Sequence, residues 1–234
     1  MFPVAILAGG LATRLHPITE TIPKALVNVA GKPFIVRQLE YLREQGINHV
    51  VLCVGYLGDM VRDVVGKGET FELEVSYSED GADLLGTGGA IVKAIPLLGD
   101  HFFVLYGDSF LPIDFSFVQK AYEASGQLAL MTVLKNQDQW DKSNVIFIDG
   151  LLLEYNKRKP RMEMTYIDYG LGVVSASALK QRVVGEPFDL ADVYRDLSLQ
   201  RQLVGLEVYE RFYEIGSHTG LREAENYFLT KEGV

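Results

Sequence analysis

The sequence Val4-Ala-Ile-Leu-Ala8 runs directly into Gly9-Gly10-Leu11-Ala12-Thr13-Arg14-Leu15. Five consecutive apolar residues predict a strand buried on both faces, because a half-exposed strand would alternate apolar and polar side chains. The paired glycines let the following turn approach a ligand closely, and Arg14 offers a fork of donors suited to phosphate. A Gly-Gly pair after a strand is more often a plain turn, however, so these residue types alone leave both interpretations open.

Outward from this stretch, short apolar runs alternate with amphipathic segments. The patterns predict strands at 4–8, 50–54, 73–77 and 102–106, and helices at 34–45, 58–65 and 87–95. This β-α-β-α-β-α-β order predicts an α/β fold whose mostly parallel sheet is covered by helices on both faces. In such sheets ligands bind at the carboxyl ends of the strands, which is where the glycine loop lies.

The second half of the chain is more mixed. Helices are predicted at 115–124, 191–199 and 219–229, and strands at 128–134, 145–148, 151–155, 172–174, 205–209 and 212–215. Asp149-Gly150 is a two-residue hairpin signal between two of these strands. We expect one domain over 1–234, with a nucleotide-binding half at 1–110 and a small antiparallel lid for a second substrate within 111–234.

The composition excludes several classes of protein. The 234 residues carry 22 Lys plus Arg against 31 Asp plus Glu, a formal net charge of −9, which argues against a nucleic-acid partner. No apolar run approaches the roughly 18 residues of a membrane span, and the start lacks a basic leader, so we expect a cytoplasmic protein without membrane contact. A single cysteine, Cys53, excludes an intramolecular disulfide and, with four His, argues against a Cys/His zinc site.

The glycine loop fits neither of two common nucleotide-binding patterns. The segment from Gly9 to Arg14 does not supply glycines at the G-x-G-x-x-G positions of dinucleotide-binding proteins, and the P-loop spacing is also missing. The sequence instead resembles the sugar-1-phosphate nucleotidyltransferase family, whose signature is G-G-x-x-T-R-L-x-P-x-T followed by P-K-x-L. The matching positions are Gly9, Gly10, Thr13, Arg14, Leu15, Pro17, Thr19, Pro23, Lys24 and Leu26.

This resemblance implies a Rossmann-like three-layer α/β/α fold and assigns roles to the loop. In the family the loop wraps a nucleoside triphosphate, so the resemblance implies nucleotide contacts from Leu7, Ala8, Gly9, Gly10, Thr13 and Arg14. It also implies catalytic roles for Arg14, on the phosphates, and for Lys24, near the transferred phosphoryl group.

A second glycine-rich stretch, Leu85-Gly86-Thr87-Gly88-Gly89-Ala90, opens a predicted helix with Thr87 as a plausible N-cap. By themselves the glycines could serve helix packing only. The stretch resembles the family's second loop, which implies that Gly86, Thr87 and Gly88 line the base and ribose, with Glu79 along the base pocket. The residues along the rest of this pocket, Asp80-Gly81-Ala82-Asp83, do not identify the base.

Two acids are candidates for a magnesium site. Asp108 follows the strand 102–106, where a loop aspartate is by default a turn former or cap, but Mg²⁺ takes carboxylate and phosphate oxygens together. The resemblance of Gly107-Asp108 to the family's G-D motif implies a catalytic metal ligand. Residues 212–217 resemble W-x-D-x-G-T, which implies that Glu214 is the second ligand, although Glu replaces Asp; the alternative is a solvated edge-strand glutamate.

The expected sugar side departs from the family pattern. Relatives carry F-x-E-K-P where this chain has Tyr155-Asn156-Lys157-Arg158-Lys159-Pro160, so either Lys157 or Arg158 occupies the sugar-contact position. This predicts an unusually basic pocket, unless the stretch is a solvated loop. Downstream, 166–171 resembles a sugar-lining I-N-A-G-I segment, which implies that Asp168 accepts hydrogen bonds from hydroxyls and that Gly170 permits close approach. Asp168 could instead be a structural cap.

The resemblance implies a Mg²⁺-dependent enzyme that takes a nucleoside triphosphate and a sugar 1-phosphate. The overall similarity favours GTP with manno-heptose or mannose 1-phosphate, with muramate 1-phosphate close behind. The length favours a minimal member, and a homo-oligomer is compatible with this interpretation. The alternative is a regulatory homologue that binds a nucleotide sugar without turnover. A metal-dependent glycosyltransferase would need a D-x-D-type motif, which Gly107-Asp108-Ser109-Phe110 does not supply.

Overall fold

The structure is a computed structural model that describes residues 1–10, 13–81 and 83–233. Within these ranges nine strands form one sheet, and two short ladders of two strands each lie beside it. The strands are β1 (Val4–Leu7), β2 (Asn28–Val29), β3 (Lys32–Pro33), β4 (His49–Val54), β5 (Glu74–Glu79), β6 (His101–Tyr106), β7 (Ser109–Phe110), β8 (Ala129–Lys135), β9 (Val145–Ile148), β10 (Leu151–Tyr155), β11 (Tyr166–Ser175), β12 (Leu203–Val208) and β13 (Tyr213–Glu214).

Six α-helices connect and cover these strands in the described residues. Three of them begin after a side chain that caps the first turn: Asp114, Asp189 and Ser217 each accept a backbone N–H hydrogen bond. The helices are α1 (Phe34–Glu44), α2 (Gly58–Val65), α3 (Gly86–Leu98), α4 (Phe115–Ser125), α5 (Leu190–Leu199) and α6 (His218–Glu232). No helix within the described ranges is both long and apolar enough to cross a membrane.

The large sheet is mixed and mostly parallel in direction. Strand β1 pairs in parallel with β4 on one side and β6 on the other, and β4 pairs in parallel with β5 at the edge. Strand β11 runs antiparallel between β6 and β8, and β12 pairs in parallel with β8. The β9–β10 hairpin joins near the start of β11. The carboxyl ends of β1, β4, β5 and β6 therefore meet at one edge of the sheet.

Two apolar clusters sandwich the sheet and confirm the predicted three layers. Along β1, Val4 and Ile6 belong to the cluster with α1, α2 and α4, whereas Ala5 belongs to the cluster with α3 and α5. All three side chains are fully buried, which explains why the strand is apolar at every position rather than at alternate ones.

Most predicted elements are present, with differences at their ends. The Asp149-Gly150 turn is confirmed: both residues have positive φ, 51° and 79°, as a type I′ hairpin turn requires. Strand β11 is much longer than the predicted 172–174, because it continues past an irregularity between Asp168 and Gly172. Sequence patterns did not predict the short 3-10 turns at Thr13–Leu15, Ile18–Glu20 and Lys24–Leu26, which have no apolar periodicity.

A third apolar cluster joins α6 to the segment after these turns, and one buried arginine anchors it. Arg37, on α1, is 4% exposed; its guanidinium donates to the carbonyl oxygens of Val29 and Ala30 and pairs with Glu232 at 2.8 Å. Its plane also lies over the Phe228 ring, 4.2 Å from the centroid. One planar fork thus connects α1, the β2–β3 turn and α6.

We expect Arg37→Lys to destabilise the fold by about 2 kcal/mol, because a single ammonium cannot serve both buried carbonyls and the carboxylate. For a chain of this size, that loss lowers the melting temperature by roughly 4 to 8 °C. Thermal unfolding monitored by circular dichroism measures it. The matched control is Arg43→Lys on the exposed face of the same helix, which should unfold within about 2 °C of the wild type. Equal melting temperatures for both variants would contradict the anchoring role.

Candidate functional site

A cavity of about 240 Å³ opens where the central strands end. Its wall combines backbone from the glycine loop with side chains at the ends of β4 and β6 and in the loops that follow β5 and β6. The first turn of α3 forms one side. The lining residues are Leu7, Ala8, Gly9, Gly10, Lys24, Ala25, Cys53, Asp80, Leu84, Gly86, Thr87, Ala90, Tyr106, Gly107 and Asp108. We call this the first cavity.

A second cavity, of about 200 Å³, lies on the other side of Asp108, toward β10 and β11. It is richer in charged and aromatic side chains than the first. The lining residues are Arg14, Tyr106, Asp108, Ser109, Trp140, Asp141, Asn144, Tyr155, Lys157, Ile167, Asp168, Tyr169, Gly170, Phe212 and Glu214. Tyr106 and Asp108 line both cavities, so a group bound in one can meet a group bound in the other at the Asp108 carboxylate.

Lys24 and Asp108 form an ion pair at this junction. The Lys24 Nζ lies 2.7 Å from Asp108 Oδ2, and the Ser109 hydroxyl donates to Asp108 Oδ1 at 3.2 Å. Both charged side chains are mostly buried, with 19% and 25% exposed, so the pair is screened less than a surface pair. The two partners are 84 positions apart in the sequence, and their pairing holds the segment of Lys24 against the end of β6.

Three backbone hydrogen bonds hold the Asp108 loop in place. The fully buried Gln38 of α1 donates from Nε2 to the carbonyl oxygens of Tyr106 (3.0 Å) and Ser109 (2.8 Å), and Ile215 N–H donates to the Asp108 carbonyl at 2.9 Å. Gln38 thus fixes both sides of Asp108 from the helix beneath. Sequence reasoning did not identify it, because a glutamine in an amphipathic helix is normally a surface residue.

Glu214 lies beside Asp108, because β13 pairs antiparallel with β7 and sets Glu214 opposite Ser109. Burial raises the pKa of Glu214, and the Asp108 charge raises it further, whereas Arg14 and Lys24 lower it. Two carboxylates and two cations therefore act on one another at the junction of the cavities.

The two carboxylates fit a divalent cation that also takes oxygens from a substrate. Within residues 1–10, 13–81 and 83–233, no group of three or more His, Cys, Asp and Glu side chains forms a metal site. A cation next to Asp108 and Glu214 would relieve the repulsion that raises the Glu214 pKa. Mg²⁺ commonly binds in this way, through one or two carboxylates, water and phosphate oxygens.

The second glycine-rich loop is held by a segment near α5 that the sequence did not indicate. Phe188 N–H donates to the Leu85 carbonyl, and Gly88 N–H donates to the Phe188 carbonyl, both at 3.0 Å. A Cβ at Gly88 would lie 2.1 Å from the Phe188 ring, so any larger residue there would force that ring to move. Gly88 is absent from the lining of the first cavity, whereas Gly86 and Thr87 are part of it.

Thr87 does not cap α3 as predicted. The helix begins at Gly86, with Leu85 in the capping position, and the Thr87 hydroxyl donates instead to Asp189 Oδ1 at 2.8 Å. The same hydroxyl accepts the Leu190 N–H at 2.9 Å. The turn therefore starts one residue earlier than the sequence suggested, and Thr87 joins the loop to the start of α5.

Glu79, the last residue of β5, was predicted to lie along the base pocket, but its neighbour Asp80 takes that position. Glu79 is exposed and pairs with Arg62, and it does not line the first cavity. The next residue, Asp80, lines that cavity, and its Oδ2 accepts the Leu85 N–H at 3.2 Å. Of the glycine-loop residues predicted to bind nucleotide, Leu7 to Gly10 line the first cavity and Arg14 lines the second. The side chain of Thr13 lies outside the described residues.

On the sugar side, the structure brings one of the two predicted basic residues to the cavity. Lys157 lines the second cavity, whereas the exposed Arg158 lies outside both cavities and donates to Asp192 Oδ2 at 2.6 Å. Asp168 and Gly170 both line it. Asp168 Oδ1 accepts the Gly170 N–H at 3.0 Å, and Asn144 Oδ1 accepts the Asp168 N–H at 2.9 Å.

The second cavity also contains residues that sequence reasoning missed. Trp140 and Asp141, on the loop between β8 and β9, and Asn144 and Tyr155 were not singled out. The Arg211 guanidinium stacks on Trp140, 3.9 Å from the ring centroid, and so holds the indole at the cavity rim. The one available signal was that this is the chain's single tryptophan, in an otherwise polar loop.

Comparison with known families agrees with this geometry. Residues 4–144, which include the glycine loop, Lys24, the second loop and Asp108, match the model of the nucleotidyl transferase family. The chain belongs to the nucleotidyl transferase family.

Two relatives show the range of the similarity. The chain is 40% identical over 112 residues, 47% of its length, to the N-acetylmuramate alpha-1-phosphate uridylyltransferase of Neisseria meningitidis serogroup B. It is 36% identical over 144 residues, 62% of its length, to the D-glycero-alpha-D-manno-heptose 1-phosphate guanylyltransferase of Campylobacter jejuni subsp. jejuni. The matches span 48% and 62% of these relatives' own lengths.

Among solved structures, HddC from Yersinia pseudotuberculosis, in complex with GMP-PN, superposes with a TM-score of 0.79 at 27% identity. The superposition covers 97% of this chain and all of that chain. The likeness confirms the Rossmann-like α/β/α fold with its additional antiparallel strands.

We expect Asp168→Asn to stabilise this protein at neutral pH. Burial raises the pKa of Asp168 from 3.8 to about 6, although the Gly170 N–H and Lys157 lower it. The native state therefore prefers the protonated acid, and the wild type loses stability as the pH rises from about 4 through about 6. Asparagine keeps an acceptor for Gly170 and removes the charge. Its melting temperature should exceed the wild-type value by a few degrees at about pH 7.5.

That gain should shrink as the pH is lowered toward about 4, where the unfolded chain also binds the proton. Melting temperatures across this range measure the effect, with Asp149→Asn at the exposed hairpin turn as the control. A gain that does not change with pH would show that the Asp168 charge is not its source.

Proposed function

We propose that this protein transfers a nucleoside monophosphate from a nucleoside triphosphate to a sugar 1-phosphate, which yields a nucleoside diphosphate sugar and pyrophosphate. The observation that carries the proposal is the junction at Asp108, where a glycine-lined cavity meets a cavity lined by carboxylate, amide and aromatic groups. This is the layout that a reaction between a nucleotide phosphate and a sugar phosphate needs, because the two phosphates must meet while the base and the sugar stay apart.

The chemistry is an in-line displacement in which an oxygen of the sugar phosphate attacks the α-phosphorus and pyrophosphate leaves. No covalent intermediate with the protein is needed, so the protein acts by positioning and by neutralising charge. Backbone N–H groups at Gly9 and Gly10 orient the triphosphate, and Arg14 binds its outer phosphates. Lys24, which is paired with Asp108 before substrate binds, turns toward the phosphoryl oxygens and stabilises their charge.

Asp108 and Glu214 would hold Mg²⁺ at the junction. When bound, Mg²⁺ neutralises charge on the reacting phosphate and helps to hold the two substrates together. The β7–β13 ladder holds Glu214 beside Asp108. A glutamate at this position, although one methylene longer than the family's aspartate, therefore still places its carboxylate at the junction. Gln38 acts on the same site by fixing the backbone on both sides of Asp108.

In the second cavity, Asp168 accepts hydrogen bonds from sugar hydroxyls and Lys157 pairs with the sugar phosphate. Trp140, held by Arg211, offers a flat apolar face to a sugar ring. We favour GTP with manno-heptose or mannose 1-phosphate as the substrates. Support comes from the similarity to the Campylobacter heptose 1-phosphate guanylyltransferase and to HddC with its bound GMP-PN. The similarity to the Neisseria uridylyltransferase makes UTP with N-acetylmuramate 1-phosphate the competing pair.

We expect the purified protein to release pyrophosphate with Mg²⁺ and one pairing drawn from a panel of nucleoside triphosphates and sugar 1-phosphates. The panel crosses ATP, GTP, CTP, UTP and dTTP with mannose, glucose, manno-heptose and N-acetylmuramate 1-phosphates. Pyrophosphate is measured by a coupled phosphate assay, and the sugar nucleotide is identified by mass spectrometry. Tight binding of a sugar nucleotide with no pyrophosphate release from any pairing would favour a regulatory, non-catalytic protein instead.

We expect Asp108→Asn to lower turnover by about 100- to 1000-fold with the active pairing, because it removes a charge at the reacting phosphates. The melting temperature should stay near the wild-type value, since the Gln38 and Ile215 hydrogen bonds go to backbone atoms that the substitution leaves in place. Asp63→Asn, on the exposed face of α2, is the charge-matched control. Near-normal turnover by the folded Asp108 variant would exclude this residue as a metal ligand.

A further inference from the structure

We infer that Asp80 selects the nucleobase of the nucleotide substrate and that its carboxylate favours guanine over the other bases. This inference rests on the proposed function for the identity of the ligand, but it concerns a different part of the site. Asp80 lies in the first cavity, away from the junction at Asp108, and none of the catalytic roles proposed above uses it.

The order of the strands separates Asp80 from the reacting groups. Asp108 follows β6 and Asp80 follows β5, with β1 and β4 between these two strands. Three strand spacings put about 14 Å between the two strands that these residues follow. The glycine loop after β1 lies between them and takes the phosphates, so a nucleotide whose phosphates lie at Asp108 extends its base toward Asp80.

The wall around Asp80 suits a flat aromatic base. Cys53 and Ala90 are buried, and Leu84 presents a partly exposed isobutyl group to the same cavity. Burial raises the pKa of the Cys53 thiol to about 12, so it is a neutral apolar surface rather than a nucleophile. Against this apolar wall, Asp80 is the one acidic side chain of the described lining on the β5 side.

The Asp80 carboxylate is held in place and keeps capacity to accept further hydrogen bonds. The Leu85 N–H donates to Oδ2, the Asp80 N–H donates to the Val54 carbonyl at 2.9 Å, and Lys93 Nζ donates to the Asp80 carbonyl at 3.2 Å. Across residues 1–10, 13–81 and 83–233, Oδ1 has no hydrogen-bond partner. An ionised carboxylate offers about four acceptor positions, of which the Leu85 bond uses one.

A group that only accepts hydrogen bonds distinguishes the bases by their donors. Guanine presents two adjacent donors, N1–H and the N2 amino group, which match the two oxygens of a carboxylate. Uracil and thymine present one donor between two carbonyl oxygens, which a carboxylate repels. Adenine and cytosine each present an amino group next to a ring nitrogen acceptor. Guanine is therefore the base that both oxygens of Asp80 can bind without an opposed acceptor.

The test compares Asp80→Asn with the wild type in binding and in turnover. Titration calorimetry with GTP and with UTP, each with Mg²⁺ and no sugar 1-phosphate, measures base preference without catalysis. We expect the wild type to prefer GTP and the variant to lose about 10- to 100-fold in GTP affinity. In the variant, the amide N–H₂ of asparagine faces a guanine N–H donor where a carboxylate oxygen accepted a charge-assisted hydrogen bond. UTP affinity should stay within about threefold or rise, since an amide can pair with uracil.

The matched control is Asp83→Asn, an exposed acid of the same loop that does not line the cavity, and it should leave both affinities unchanged. Wild-type preference for UTP, or a GTP preference that persists in the Asp80 variant, would overturn the inference. These outcomes differ from failure of the proposed function: GTP binding that depends on Asp80 without pyrophosphate release would refute transfer and leave the base assignment intact. If the Asp80→Asn variant does not fold, the wild-type titrations still test the inference, because equal affinities for GTP and UTP, or a preference for UTP, would overturn it.

Discussion

The parallel pairing of β1 with both of its neighbours is the constraint on which the rest of the site depends. Its register sets Leu7 beside Cys53 on β4 and beside Tyr106 on β6, so three strands end at the same level. Every loop that lines the first cavity leaves the sheet from this level or packs against it. A shift of one residue in either pairing would turn the apolar faces of the strand around and separate the glycine loop from Asp108.

At the ends of these strands, interactions between charged side chains determine the structure of the site. Lys24 and Asp108 attract each other, and Glu214 and Asp108 repel each other, within a partly buried junction where neither interaction is fully screened. The two carboxylates and the two cations, Arg14 and Lys24, already balance in the free protein. A substrate phosphate adds negative charge and a divalent cation adds positive charge, so the balance is kept when both bind together. The free protein holds Lys24 on Asp108 as a substitute for that arrangement.

Much of this molecule follows from patterns that are local in the sequence. The apolar run at Val4–Leu7 and the Asp149-Gly150 turn predicted their structures, because each is determined by neighbours in the chain. Asp108 was a candidate because the acid follows a buried strand and because Gly107-Asp108 resembles the family's G-D motif. What could not be predicted depends on contacts across long separations: Gln38 reaches the Asp108 loop from a helix 68 to 71 residues away, and Asp189 reaches Thr87 across 102 residues.

The position of individual side chains was equally difficult to infer. Glu79 and Asp80 are adjacent and chemically alike, but Glu79 ends β5 and pairs with Arg62, whereas Asp80 leaves the strand and lines the cavity. Lys157 and Arg158 differ in the same way: Lys157 lines the second cavity, whereas Arg158 pairs with Asp192 on α5 outside it. Thr87 is a residue type common at helix N-caps, but its hydroxyl donates to Asp189, the residue before α5, instead.

The place of β5 at the edge of the sheet has a consequence for how such a protein can diverge. Strands β1 and β6 are enclosed on both sides, so a change in the loops that follow them disturbs two neighbours and the reacting groups together. The loop after β5 has a strand on one side only, and its residues can be exchanged, lengthened or shortened at small cost to the core. Given the base role proposed for Asp80, a change in this loop alters which nucleotide is accepted while the loops at the centre of the sheet stay unchanged.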